Sequence, residues 1–207
     1  MPKVTEAHVA ARRFQILGAT CICVAQKGFH HTTMQDICQA ADLSPGAIYS
    51  YFSSKEDIIK SLAEEGLRKN EALFVELKQK GDVREALSDF AKVFFSCLEQ
   101  TQTECYTVPD MHRIKVGLWA EAIRNPDVFE LFEHNYRAAQ GELAEIVGEG
   151  QERGEVRATL DPKAVAQVFI SLLEGFVLQK ALDPSVDSTN YLEALDAFLN
   201  CSFWQGS

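Results

Sequence analysis

Three helix-start signals crowd into the 25 residues from Thr32 to Glu56, TTMQDICQAADLSPGAIYSYFSSKE. Thr32 with Gln35 reads as a capping box, in which a hydroxyl and a side-chain carbonyl satisfy each other's orphan N–H groups. Ser44 before Pro45 reads as a second N-cap, with proline at the first helical position, where no N–H is missed. Ser53 with Glu56 reads as another capping box. This spacing leaves room for two helices of about two turns each before a longer one begins. Helices that short do not survive in water, because nucleation costs more than a few hydrogen bonds return. They must be packed against something.

The rest of the chain reads as helix almost throughout. Phe14, Leu17, Cys21 and Val24 recur at helical spacing from Val9 to Lys27, and Gly28 stops the run. The two short helices follow at about 33–40 and 45–51. A long amphipathic helix runs from about Ser54 to Lys80, and Asp82 with Glu85 opens the next, over about 83–100. Residues 101–110, with Pro109, read as a loop. A helix through HRIKVGLWAEAIR ends at Asn125–Pro126, another continues to about Arg153, and GEVRATLDP is a polar connection. Asp161–Pro162 opens a helix to about Leu182, and a last one covers Thr189 to Phe203. No strand, internal repeat or low-complexity tract is expected. The fold class is all-α.

Composition excludes several classes of function. At 207 residues, 46% of them apolar and 24% charged, the chain is long enough for a proper core. It has no uninterrupted apolar run of about 18 residues, so no transmembrane helix and no membrane partner are expected. Its first residues lack a signal-peptide pattern, which predicts a cytoplasmic protein with reduced cysteines. Of the six cysteines, Cys21 and Cys23 lie two apart on a helix and diverge. Cys38, Cys97, Cys105 and Cys201 are scattered without metal-ligand spacing. They read as small core residues or, alternatively, as redox-responsive thiols. His30–His31 reads as a solvated pair. No catalytic constellation, metal site, phosphate loop or cofactor motif is present, so no enzyme is expected.

The net charge of −10 argues against nucleic acid until its placement is considered. Residues 1–55 carry five basic and three acidic side chains, a balance of +2, which leaves −12 for the remainder. Such asymmetry marks the N-terminal part as the nucleic-acid-binding end. Two short helices joined through AADL match a helix-turn-helix, whose second helix enters the DNA major groove. Ile37, Ala41, Leu43, Ile48 and Phe52 supply the inward faces, and Asp42 stands where the turn needs a left-handed backbone. Pro45, Gly46, Ala47, Tyr49, Ser50 and Tyr51 are left facing outward, with Ser44 at the helix start. Lys55, at the start of the following helix, is placed to grip a phosphate.

The stretch GFHHTTMQDICQAADLSPGAIYSYFSSKEDII resembles the N-terminal domain of TetR-family transcriptional regulators over about residues 10–60. The resemblance implies nine helices, three for DNA binding (1–55, recognition motif 33–52) and six for effector binding and dimerisation (56–207). It implies phosphate contacts at Thr33, Tyr49, Tyr51 and Lys55, with Pro45, Gly46, Ala47 and Ser50 against bases. Ile22 departs from the polar residue usual at its place. The base-facing set has no Arg, Asn or Gln, which leaves recognition to apolar contacts and DNA shape.

The C-terminal half, through GLWAEAIRNPDVFELFEHNY and LDPKAVAQVFISLLEGFVLQKAL, is similar to effector domains of the BetI-like and AcrR-like branches. The resemblance implies a ligand-responsive repressor of a palindromic operator, the alternative being a thiol-based redox sensor on the same scaffold. Phe90, Phe94, Phe95, Trp119, Phe169 and Phe176 read either as solid core or as the walls of a ligand cavity. Phe90, Phe94, Trp119 and Phe169 are the candidate effector contacts, with Glu174 to orient a donor or cationic group on a largely apolar molecule. The 162–182 helix is apolar nearly all round, apart from Lys163, Gln167, Ser171 and Glu174. A helix of that kind needs burial on more than one side. Val168, Leu172 and Phe176, with Leu192, Leu195 and Leu199 of the last helix, are therefore expected to form a two-fold homodimer interface.

Overall fold

The computed structural model describes residues 5–28, 30–99 and 111–202. The expected 101–110 loop and the end of the last helix at Phe203 lie outside the described residues. Among these residues the chain forms nine α-helices and no strand. They are α1 (Glu6–Lys27), α2 (Met34–Ala41), α3 (Pro45–Tyr49), α4 (Lys55–Leu77), α5 (Val83–Glu99), α6 (Met111–Ala122), α7 (Pro126–Glu152), α8 (Pro162–Leu182) and α9 (Ser188–Ser202). Two compact units share them. One takes the described residues up to Glu65 and those from Met111 to Phe132; the other takes Gly66–Glu99 and the described residues from Glu133 onward. Helices α4 and α7 contribute to both.

In the first unit, α1 begins at Thr5, whose side chain accepts the His8 N–H, and ends at Gly28. Gly28 has φ +78°, a conformation that a Cβ would strain. Ile16, Leu17, Ile37, Ala41, Ile48, Phe52 and Ile58 form one core cluster, tying α1 to α2, α3 and the start of α4. Phe14, expected on the inward face of α1, is 42% exposed. Ile16 and Leu17 take the inward positions, one helical step away. A second cluster joins Val24, Ile59, Ala122 and Val128, so α6 and the first turn of α7 pack against α1 and α4. The short helices thus have the support their length requires.

The second unit has an aromatic core. Phe74 stacks on Phe90 at 5.4 Å, and Phe90 meets Phe169 at 6.1 Å. Phe95 meets Phe176 edge-on at 4.3 Å, and Tyr191 touches both rings while its hydroxyl donates to the Leu172 carbonyl. Such tilted and offset pairs are the arrangements the ring quadrupole favours. Among the described residues, α8 is long and apolar enough by length and composition to cross a membrane. The core helix of a packed helical bundle has the same length and composition. The inward residues of α8, Ala166, Phe169, Ile170, Leu173, Phe176, Val177 and Ala181, are buried within this unit.

One close approach in this unit yields a paired prediction. A Cβ added at Gly150 of α7 would lie 2.1 Å from Cγ2 of Val83, itself fully buried at the start of α5. Gly148, one residue pair earlier on α7, has nothing within 4 Å of such an atom. Gly150→Ala is therefore expected to destabilise the protein by about 1–3 kcal/mol through overpacking. Gly148→Ala is expected to stabilise it by up to about 1 kcal/mol through helix propensity alone. Urea denaturation of the two variants checks this, and equal effects would contradict it.

Candidate nucleic-acid interface

The helix starts lie one residue beyond two of the expected caps. Thr33, not Thr32, caps α2, in a reciprocal box with Asp36 rather than Gln35. Thr32 is buried and its hydroxyl donates back to the Gly28 carbonyl at 2.8 Å. A carboxylate accepts more strongly than an amide, which favours the Thr33–Asp36 pairing. Ser54 likewise caps α4 by accepting the Asp57 N–H, while Ser53 donates to the Asp57 carboxylate. Ser44 caps α3 as expected, with Pro45 at its first position. Asp42 has φ 51° and ψ 46°, the left-handed turn the sequence called for.

This local chemistry turns one face of α3 outward. Ile48 and Phe52 are buried, whereas Ser44, Pro45, Gly46, Tyr49 and Ser50 are exposed and Ala47 and Tyr51 are half-buried. Tyr49 is 54% exposed, although it is a large ring beside a hydrophobic core. Regular α3 ends at Tyr49, shorter than the expected 45–51, and Ser50 and Tyr51 continue it as a turn. Lys55 reaches back to donate to the Thr32 carbonyl at 3.0 Å. This places its ammonium beside the start of α2. Thr33 is exposed, but its hydroxyl donates to Asp36 at 2.8 Å. It would have to give up that bond to donate to a phosphate.

Helix α1 holds the pair of short helices by their C-terminal carbonyls. Gln15 donates to the Ala41 carbonyl at the end of α2, at 2.7 Å. Arg13 donates to the Tyr51 carbonyl at 3.2 Å and to the Ser61 hydroxyl at 3.1 Å, and its guanidinium lies 4.3 Å over the Phe52 ring. The planar guanidinium makes all three contacts together, which a lysine would not. Neither residue was singled out from sequence. Their only signal was a polar side chain next to the apolar face of α1. Lys27 pairs with Asp36, and that bond, then the Thr33 N–H, holds the Asp36 carboxyl down at about 2.

Burial governs the thiols of α1 and α2. Cys23 and Cys38 are buried, and burial pushes the Cys21 thiol up to about 12, away from the reactive thiolate. Cys97 is exposed, while Cys105 and the Cys201 side chain lie outside the described residues. Among the described residues, no group of three or more His, Cys, Asp or Glu side chains is placed to hold a metal ion.

The candidate effector residues divide between the two units. Trp119 belongs to the first, with the Lys115 ammonium 5.6 Å over its ring. Phe90, Phe94, Phe169 and Glu174 belong to the second. Phe90 and Phe169 are core rings, and Phe94 is half-buried against Phe95. Glu174 is half-buried, with Oε2 shielded from solvent. Phe169 also lines a cavity of about 10 Å³ with Leu87, Val147, Val156, Val165, Val168, Leu172 and Leu199. Of the candidate interface residues, Phe176, Leu195 and Leu199 are buried within the chain's own core, and Leu172 and Leu192 are half-buried. Val168 is 46% exposed. The apolar surface left open on α8 and α9 is made by Val168, Leu178, Leu182 and Phe198.

Comparison with known proteins decides what this arrangement belongs to. Residues 16–62 match bacterial regulatory proteins of the tetR family, and residues 83–201 match the C-terminal region of BetI-type transcriptional repressors. The chain belongs to the TetR family. It is thus a transcriptional regulator that binds DNA through its helix-turn-helix. A similar chain is the HTH-type transcriptional regulator YfiR of Bacillus subtilis, 26% identical over 87% of this chain and 85% of that one. Salmonella enterica GusR superposes with a TM-score of 0.68 at 26% identity, covering 96% of this chain and 100% of that one. FadR of Bacillus subtilis, solved in complex with stearoyl-CoA, has the same fold, with a TM-score of 0.72 at 23% identity over 90% and 96% of the two chains.

Proposed function

We propose that this TetR-family regulator is a cytoplasmic homodimeric repressor, released from a palindromic operator by a largely apolar small molecule. Residues 1–55 would read DNA, and 56–207 would bind the effector and the partner subunit. The observation that carries the reading is the uncovered face of α8. Val168, Ser171, Gly175, Leu178 and Leu182 follow one another at spacings of three and four, the pattern of a helix–helix seam. Val168 and Leu178 are each 46% exposed and Leu182 is 77% exposed, while a Cβ on Gly175 would meet nothing in its own chain. A seam with a small residue at its centre suits the close approach of a second copy. Two reading heads are also what a palindrome requires.

The effector half of the proposal rests on the aromatic core of the second unit and on the match to BetI-type repressors. FadR, with its bound stearoyl-CoA, is a precedent in this fold for an apolar occupant. Ligand pockets usually enclose about 300–1,000 Å³. A cavity of about 10 Å³ must therefore open to admit one, and that opening is the conformational change a ligand could select. The test is a screen of lipophilic and cationic compounds, long-chain acyl-CoA among them. It reads release of a duplex that the parent protein selects from a randomised pool, together with Trp119 fluorescence in a Trp204→Phe background. An apolar compound that releases DNA is expected to perturb Trp119. Release by oxidants alone, abolished by replacing one cysteine, would overturn this reading in favour of a redox sensor.

A further inference from the structure

Glu121 breaks the ordinary rules for helices. It lies in the last turn of α6, where the helix end carries partial negative charge and repels a carboxylate. It is also buried, at 8% exposure, where an ionised group is costly without a partner. Its neighbour Ala122 packs among Val24, Ile59 and Val128, all apolar. Among the described residues, Glu121 Oε1 has no hydrogen-bond partner, but Nε2 of His30 lies 3.2 Å from it. His30 belongs to the turn between α1 and α2, and its side chain is 65% exposed. An acid that local physics disfavours has been placed against the turn that leads into the DNA-reading helices.

From that turn a short run of bonds leads to the DNA-facing surface. Two residues beyond His30, the buried Thr32 directs both its N–H and its hydroxyl to the Gly28 carbonyl, at 3.2 and 2.8 Å. Its own carbonyl accepts the Lys55 ammonium. Thr33 follows at once as the cap of α2. His30 lies between the two residues that the Thr32–Gly28 bond joins, and Thr32 in turn holds Lys55.

We propose that Glu121 is a positioning residue for DNA binding: it holds His30, and through Thr32 it sets where Lys55 and the start of α2 stand against the DNA backbone. The last step rests on reading Lys55 as a phosphate contact, which the salt dependence of Lys55→Ala tests separately. The sign of the Glu121→Gln effect separates this role from the alternatives. Removing a buried acid from a helix C-terminus should leave thermal stability unchanged or raise it. Removing a negative charge near DNA would, by simple electrostatics, tighten binding. Positioning predicts the opposite: weaker binding by a protein that is no less stable.

The experiment is a double-mutant cycle of Glu121→Gln and His30→Asn, measuring affinity for the duplex selected by the parent, its salt slope, and Tm. Each single variant is expected to bind about fivefold more weakly, and the double variant no more weakly than either single one, as for two residues in one interaction. The salt slopes should fall toward that of Lys55→Ala, since a displaced Lys55 ammonium releases fewer counterions. Parental or tighter binding by Glu121→Gln would overturn the proposal, and so would losses that multiply in the double variant. If Glu121→Gln fails to fold, His30→Asn decides alone: its side chain is largely exposed, and unchanged affinity in it would sink the idea.

Discussion

With Val168→Glu and Leu178→Glu combined, the protein is expected to sediment as a monomer at micromolar concentration and to bind the selected duplex at least about 100-fold more weakly than the parent. Both positions lie on the exposed seam of α8 and outside the buried core clusters, although Val168 also borders the small cavity beside Phe169. In a two-fold interface each substitution appears twice, and four carboxylates would be forced together away from water. Loss of the dimer then removes the gain from engaging two half-sites with one molecule, commonly a factor of about 10²–10⁴. Phe176→Arg would be a poor substitute, because Phe176 is fully buried against Phe95 and Tyr191 and the variant would unfold first. Sedimentation velocity, with circular dichroism to confirm retained helix, decides the matter. A dimer as tight as the parent's would place the interface elsewhere.

The second large effect is expected at the reading head. Tyr49→Ala and Lys55→Ala should each weaken binding to the selected duplex by about tenfold or more, through different physics. Lys55 carries a charge, so its loss from both halves of a dimer should reduce the salt slope by about two units. Tyr49 brings a ring and a hydroxyl rather than a formal charge, and its loss should cost affinity while the slope stays as it was. Tyr49 is half-exposed and outside every core cluster, which makes its alanine variant close to neutral for stability. Affinity titrations from low to high salt check both expectations. Parental affinity in both variants at every salt concentration would contradict the placement of α3 against DNA.

Much of this architecture was legible because its signals are local. Ser44–Pro45, the left-handed Asp42 and Asp161–Pro162 each mark an element edge through the chemistry of one or two residues. The expected boundaries of α8 agree with those observed for the same reason. The misplaced caps show the limit of such signals. Thr32 and Thr33 are adjacent, each has a polar residue three positions on, and only the fold reveals that Thr32 turns back to Gly28. Facing was harder than helicity. On α9, Leu195 and Leu199 serve the chain's own core while Phe198 remains exposed, a choice of about 100° that an apolar helix does not advertise. Contacts between distant segments left least trace. Nothing local announces that Arg13 caps the turn after α3, that Gly150 lies against Val83, or that Glu121 meets His30.

If this chain reads DNA as a symmetric pair of helix-turn-helix heads, its contacts with the duplex repeat across a dyad. Hydroxyl-radical footprinting of the parent protein on the selected duplex tests this most directly. Two protected patches related by a dyad are expected, centred about 34–36 Å apart along one face of the helix, and both should weaken with Tyr49→Ala at a protein concentration that just saturates the parent. A single patch with no dyad, or protection that survives Tyr49→Ala unchanged, would contradict it.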